Sequence, residues 1–466
     1  MRQGWLPLGV LLAGLTVCSG CAHAAETAEG WLTLQWGDGG PESPGNHRRV
    51  SLTDDTGQTV ALSVSDELLR GGVFRWNGQR VRVYAPSSGA RFSADGAMRV
   101  RALELLGQPS TPAAVTGSQP WISIPCKFAD IADEPEALAF FEGMYANQPG
   151  GLDHFWREVS YGTIDVVGSI AVDWVTLPGV QTDYVPTPGS GTDANLNKVF
   201  DDCTAAVDDI VDFSGGGAPL VGINIMLNGS LDCCAWGGGR FATLDGVTKS
   251  WRTTWNPPWS FANEGIIAHE MGHGFGLPHA NNFDDDGNPY DSPWDVMSAA
   301  TGYAASDPTY GALGKHVNAW HKDKLGWFAP DRRFEAMVGE VTSIELDHTA
   351  LANATHYQMA LLSISADSMY TVEARMREGL YDSELAGDAV IIHEVRLGRS
   401  EPAWAVDADM PPANYGDNPG TMWQPGETFA DFINDVRISI DYATDTGFGV
   451  TIDRRAIITL LSDGFE

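Results

Sequence analysis

The run from His269 to His279 reads His269-Glu270-Met271-Gly272-His273-Gly274-Phe275-Gly276-Leu277-Pro278-His279 and concentrates the ligand chemistry of the chain. On a helix turning 100° per residue, His269 and His273 project about 40° apart, so both imidazoles can grasp one ion. Glu270 falls on the flank of that face, within reach of a water held by the ion but outside the ligand set. This is the pattern by which a helix holds zinc and presents a general base beside it. Ile267, Met271 and Phe275 follow at i, i+4 and i+8 on the opposite side, so one face packs while the other binds. Gly274, Gly276 and Pro278 stop the helix and turn the chain. The turn is necessary, because a continuous helix would carry His279 about 15 Å beyond His269. With it, His279 returns as a third ligand, and zinc keeps an open fourth position for water and substrate.

The extended motif resembles the metzincin signature of zinc endopeptidases, and that resemblance implies a methionine in a turn beneath the metal. Met297, in Ser292-Pro293-Trp294-Asp295-Val296-Met297-Ser298, fits that role. Two flanking blocks, Phe155-Trp156-Arg157-Glu158-Val159-Ser160-Tyr161-Gly162 and Asn318-Ala319-Trp320-His321-Lys322-Asp323-Lys324-Leu325-Gly326-Trp327, narrow it further. They are similar to blocks around the catalytic helix of immune inhibitor A-like and gametolysin-like secreted metallopeptidases. The likeness runs from about residue 121 to 453 and excludes the N-terminal segment. Some immune inhibitor A-like members carry an acidic residue where His279 stands. Other metzincins place a tyrosine two residues after the methionine, where this chain has Ala299. Tyr303 and Tyr310 are the nearest downstream, and neither is assigned a transition-state role. Latency through a pro-domain cysteine is excluded, since no cysteine lies between Ala22 and Pro125, so any latency needs another device.

Several elements must position these residues. Residues 31–107 alternate apolar and polar side chains, as in Gly72-Val73-Phe74-Arg75-Trp76 and Arg80-Val81-Arg82-Val83-Tyr84, punctuated by turns such as Asn77-Gly78. Residues 108–120, rich in Pro, Ser, Thr and Gly, read as a linker. Strand character at 121–128, 163–175 and 220–227 then alternates with helical periodicity at 134–147 and 193–213. From about residue 331 the pattern is strand-like again, clearest at 370–375 and 389–393. The expected fold is α+β: a metzincin-like catalytic domain, a twisted sheet plus an active-site helix, flanked by N-terminal and C-terminal β-rich domains. The expected divisions are a signal peptide at 1–24 and an N-terminal β domain at 25–107, either a pro-domain or a permanent module. The linker at 108–120, the metallopeptidase domain at 121–330, the C-terminal β domain at 331–455 and a tail at 456–466 complete them.

With 28 Lys+Arg against 61 Asp+Glu the formal charge is −33, which repels nucleic acid and anionic membranes. Arg2, the apolar run from Leu6 to Val17 and Ala22-His23-Ala24 form an export signal, so the chain is expected to be secreted. Periplasmic retention or a lipid anchor on Cys21 is the competing arrangement. No later apolar run approaches the length of a membrane span. Cys126, Cys203, Cys233 and Cys234 remain after export, and disulfides are expected in an oxidising compartment. Because neighbouring cysteines pair only with strain, Cys203 or Cys126 is expected to reach Cys233 or Cys234.

Secondary candidates are weaker. Asp284, Asp286 and Asn288 are closely spaced oxygen donors that could hold calcium, but the loop lacks the full ligand pattern and also reads as a solvated acidic turn. His316, His321 and His393 fall outside ligand spacing and read as packed polar residues. Trp251, Trp255 and Trp259 read equally as cleft or core. The activity these residues point to is a secreted zinc endopeptidase acting on proteins or peptides, with Glu270 as base. The alternatives are an extracellular binding or adhesion protein with a structural zinc site, and a zinc amidase acting on cell-wall material. The three histidines, without an evident fourth protein ligand, speak for the enzyme.

Overall fold

The computed structural model describes residues 27–40, 45–69, 72–86, 90–94, 96–107, 114–214, 219–283, 288–408 and 418–456. The export segment 1–24, part of the linker, the calcium candidates Asp284 and Asp286, and the tail beyond residue 456 lie outside the described residues. The molecule is α+β, mostly sheet with few helices.

Strand β1, Thr27–Gly39, opens the chain. It pairs antiparallel with β2, Asn46–Thr53, which pairs with β3, Thr59–Ser63. The first residues of β1 also pair with β4, Arg80–Tyr84. Leu32, Leu34, Val50, Leu52, Leu62, Trp76, Val81 and Val83 build a core drawn wholly from this N-terminal segment. The alternation at residues 72–76, read as strand-like, is a helical turn instead, Val73–Trp76. Four residues cannot separate a period of 2 from one of 3.6, and burial of Val73 and Trp76 suits the turn.

Strand β5, Trp121–Lys127, is followed by helices α1, Leu152–Val159, and α2, Leu196–Ala206. Strands β6, Gly222–Leu227, β7, Cys234–Leu244, and β8, Val247–Asn256, complete the central sheet. Its order is β5-β6-β8-β7-β1-β2-β3. β5, β6 and β8 run parallel, whereas β7 is antiparallel to both β8 and β1. The helical periodicity at 134–147 shrinks to a short helix, Leu138–Gly143, and 163–175 yields only two-residue strands. Helix α3, Glu264–Gly274, lies against β7 and buries Ile267, Met271 and Phe275 with Trp121, Phe155 and Trp156. Helix α4, Ala319–Leu325, follows.

The C-terminal part holds two sheets sharing one core of Ile344, Leu346, Leu362, Val372, Ile392, Ile438 and Val450. One sheet contains β9, Met359–Ser365, β10, Ser368–Arg375, β11, Ala389–Arg396, and β12, Ala403–Ala405. At its edge β12 pairs in parallel with Ala280–Asn282, the residues after His279. Among the described residues no helix is long and apolar enough to cross a membrane.

The cysteines pair differently from expectation. Cys126 on β5 meets Cys203 on α2, with Cα atoms 6.1 Å apart, and Cys233 pairs with Cys234. The expected long-range partner of Cys233 or Cys234 is therefore corrected. Packing of α2 against β5 turns the two buried side chains of Cys126 and Cys203 toward one another, which no local spacing announces.

Candidate metal centre

The site grows from α3. His269 and His273 project from one face, and Gly276, at φ 94°, takes the left-handed conformation that reverses the chain after the helix. His279 then comes back over the same face. The Nε2 atom of His273 lies 3.1 Å from that of His269 and 3.2 Å from that of His279. His269 donates from Nδ1 to the Val296 carbonyl at 2.7 Å, and His273 donates from Nδ1 to the Leu277 carbonyl at 2.7 Å. With the protons held on Nδ1, both Nε2 atoms turn lone pairs toward the same point. Two such lone pairs at 3.1 Å repel unless a cation lies between them.

A fourth donor comes from the N-terminal strand. On β1 the period-2 alternation sets Leu32, Leu34, Trp36 and Asp38 on one face. The two leucines and Trp36 belong to the N-terminal core, and Trp36 and Asp38 also reach the histidines. Asp38 Oδ1 is 2.6 Å from His279 Nε2 and 3.4 Å from His269 Nε2, and Oδ2 is 3.4 Å from His273 Nε2. The Trp36 ring stacks on His273 with centroids 4.8 Å apart and planes at 7°. A tetrahedron of donors about 2.0–2.1 Å from an ion has edges of roughly 3.3 Å, which the separations of His273 from the other two imidazoles match, whereas Asp38 approaches His279 to hydrogen-bond distance. The described residues thus contain a buried Asp and three-His group that could bind a metal. The expectation of no evident fourth protein ligand is corrected. Asp38 lies more than two hundred residues before the motif, in a segment whose local pattern says only strand.

Glu270 is fully buried beside this cluster, and no hydrogen-bond donor among the described residues reaches either carboxylate oxygen. Burial first, and then the neighbouring Asp38 carboxylate, raise its proton affinity well above the ordinary range. Burial would raise Asp38 too, but its electrostatic and hydrogen-bond interactions with His279 and His269 outweigh it and hold that group well below the ordinary value. Burial pushes His273 down to about 3, which keeps its imidazole neutral and fit to ligate. Gly237 of β7 makes this crowding feasible: a Cβ there would meet the Glu270 carboxylate and carbonyl and the His273 Cβ.

No family model matches the chain, and no curated protein matches it. A structural likeness exists to the crystal structure of wild-type OgpA from Akkermansia muciniphila, at 12% identity over 72% of this chain and 91% of that one. Its TM-score of 0.24 is too low to carry an argument about fold or activity.

Met297 packs against α3, and a Cβ on Gly272 would meet its Sδ. Its loop is held by Asp295, which accepts from the Met297 and Asn318 amides and pairs with His321 at 2.7 Å. His316, His321 and His393 are all buried away from the cluster in a polar network. Trp251 and Trp255 are core residues, whereas Trp259 lines a cavity of about 370 Å³ together with Ile266, Glu270, Ser298 and Ala299. Of the calcium candidates only Asn288 is described, and its side-chain oxygen accepts from the Tyr290 amide at 3.2 Å.

Tyr290 is the residue the sequence did not single out. Its hydroxyl donates to Asp38 Oδ1 at 2.8 Å, and its ring stands edge-on to His279. The tyrosines after Met297 are placed elsewhere: Tyr310 packs on Phe140, and Tyr303 accepts from Asn418. Tyr290 precedes the methionine instead, so a search at fixed offsets beyond Met297 passes it by.

Proposed function

We propose that the chain is a secreted zinc-dependent endopeptidase of metzincin type, in which His269, His273 and His279 hold the metal and Glu270 is the general base. One observation carries the reading: a fully buried carboxylate that no donor among the described residues reaches, set beside three converging imidazoles. Leaving such a group unpartnered costs several kcal/mol, and a purely structural metal site has no use for it. A peptidase needs it to accept a proton. Three imidazole nitrogens that converge with one carboxylate favour zinc over the harder calcium or magnesium.

When bound, zinc would acidify a water and polarise the scissile carbonyl. Glu270 takes the proton released as that water attacks, then delivers it to the departing amine. Tyr290, held as a neutral phenol by burial and by Asp38, donates its hydroxyl to Asp38 and would be free to donate to a substrate oxygen that took the place of that carboxylate. The cavity beside Glu270, walled by Trp259 and Ile266, offers room for one apolar or aromatic substrate side chain. The export signal and the acidic surface agree with a protein or peptide substrate met outside the cell.

The second reading, a structural zinc site in a binding protein, draws support from Asp38, which completes a closed set of four donors. Glu270→Gln separates the two. With the N-terminal segment displaced, the variant should retain one zinc and its fold yet cleave casein about 10²–10⁴-fold more slowly. A zinc-loaded variant that cleaves at more than about a tenth of the parent rate would overturn the mechanism, since that is under about 1.4 kcal/mol of barrier.

A further inference from the structure

The edge of β7 beside the metal centre is occupied by the chain itself. Residues Gln35 to Gly39 of β1 pair antiparallel with Gly238 to Cys234, laying an extended strand along the side of α3 that carries the histidines. Without β1 that edge would be a row of unpaired amides and carbonyls, the surface to which an extended peptide adds as a strand. Gln35 reinforces the fit by donating from Nε2 to the Gly239 carbonyl at 3.1 Å. Gly37 allows it, because a Cβ there would meet the Trp236 ring.

We propose that residues 27–105 form an autoinhibitory module. Its strand β1 takes the place of substrate on β7, and its Asp38 carboxylate takes the position on the metal that water and a scissile carbonyl would need. The inference rests on the peptidase reading of the same site. Three independent features support it. Asp38 contacts all three histidine Nε2 atoms and is held there by Tyr290. Trp36 covers the outer face of His273, so the strand closes the site sterically as well as by ligation. The segment also has its own core, built only from residues before 108, and only the partly buried Phe74 packs from it onto the core around α3, so it can leave at the loss of that one contact in the core. No cysteine is involved. The latency device absent from the cysteine pattern is supplied by an aspartate that no motif marks.

The test uses the full chain loaded with zinc, in a Glu270→Gln background that prevents self-digestion, and reads zinc transfer to a chromogenic chelator and binding of acetohydroxamate. Asp38→Ala should release zinc at least about 10-fold faster and admit the hydroxamate, which the parent excludes. Gly37→Val leaves every metal donor in place but clashes with Trp236, so it should admit the hydroxamate as well and serves if Asp38→Ala fails to fold. Asp38→Ala with Glu270 restored should then cleave casein without prior processing. Unchanged zinc release and hydroxamate exclusion in both variants would overturn the module's role, as would full casein cleavage by the unprocessed parent. Faster zinc release and hydroxamate binding without any casein cleavage would uphold the plug while refuting the peptidase reading.

Discussion

At the scale of single residues, the site depends on which atoms already have partners. His269 and His273 spend their Nδ1 protons on backbone carbonyls and so offer Nε2 to the metal, whereas Glu270 has no donor among the described residues. Tyr290 belongs to the same logic. Its hydroxyl donates to the oxygen that sits on the metal ligands, and burial keeps it protonated. Once Asp38 is displaced, that donor faces the position of the reacting carbonyl oxygen. Tyr290→Phe should therefore lower kcat of the activated protein by about 10²-fold, the scale of one lost oxyanion donor, with KM little changed. A loss confined to KM, or none, in steady-state peptide cleavage would show that Tyr290 serves only to hold Asp38.

At the scale of elements, α3 is anchored at its start by a buried polar contact. At its start, Glu264 accepts from the Gly314 amide at 2.7 Å and is fully buried, which pushes its carboxyl from 4.5 to about 8. Because the folded state binds the proton more tightly than the unfolded chain, this group's contribution is complete below pH 4.5 and is lost as pH rises through about 8. Glu264→Gln keeps the acceptor and removes the titration. Unfolding free energies from urea titration should therefore fall with rising pH in the parent by up to a few kcal/mol more than in the variant across that window. Parallel curves for the two proteins would contradict the assignment. At its other end the helix stops where Gly274, Gly276 and Pro278 were read to stop it, and Gly276 supplies the positive φ.

At the scale of the molecule, the centre is assembled from three parts of the chain. The N-terminal segment contributes Asp38, α3 and its turn contribute the histidines, and the C-terminal sheet holds the strand after His279 through β12. Arg375 of β10 ties that sheet to the methionine loop. It bonds the Trp294 carbonyl and makes a bidentate pair with Asp382 at 2.9 Å, all three fully or almost fully buried. Arg375→Met would leave Asp382 buried without its counter-ion and should cost about 3–5 kcal/mol in denaturant unfolding. It should also weaken zinc retention by loosening the Val296 carbonyl that orients His269. An unchanged unfolding midpoint would show the pair to be dispensable.

What the sequence determined by itself is the part governed by short spacing. The i, i+4 histidines, the intervening glutamate, the packing face of Ile267, Met271 and Phe275, and the turn that returns His279 all follow from helix geometry within a dozen residues. The strands at 121–127, 222–227 and 389–396 were legible for the same reason, as local runs of apolar side chains. Asp38, Tyr290, the Cys126–Cys203 pair and the occupied edge of β7 were decided only by tertiary structure. Each joins residues separated by tens to hundreds of positions, and the energy that brings them together comes from sheet pairing and core burial elsewhere. A single aspartate in an alternating strand looks like any solvated carboxylate until the strand is laid against β7, where the same alternation aims it at three imidazoles.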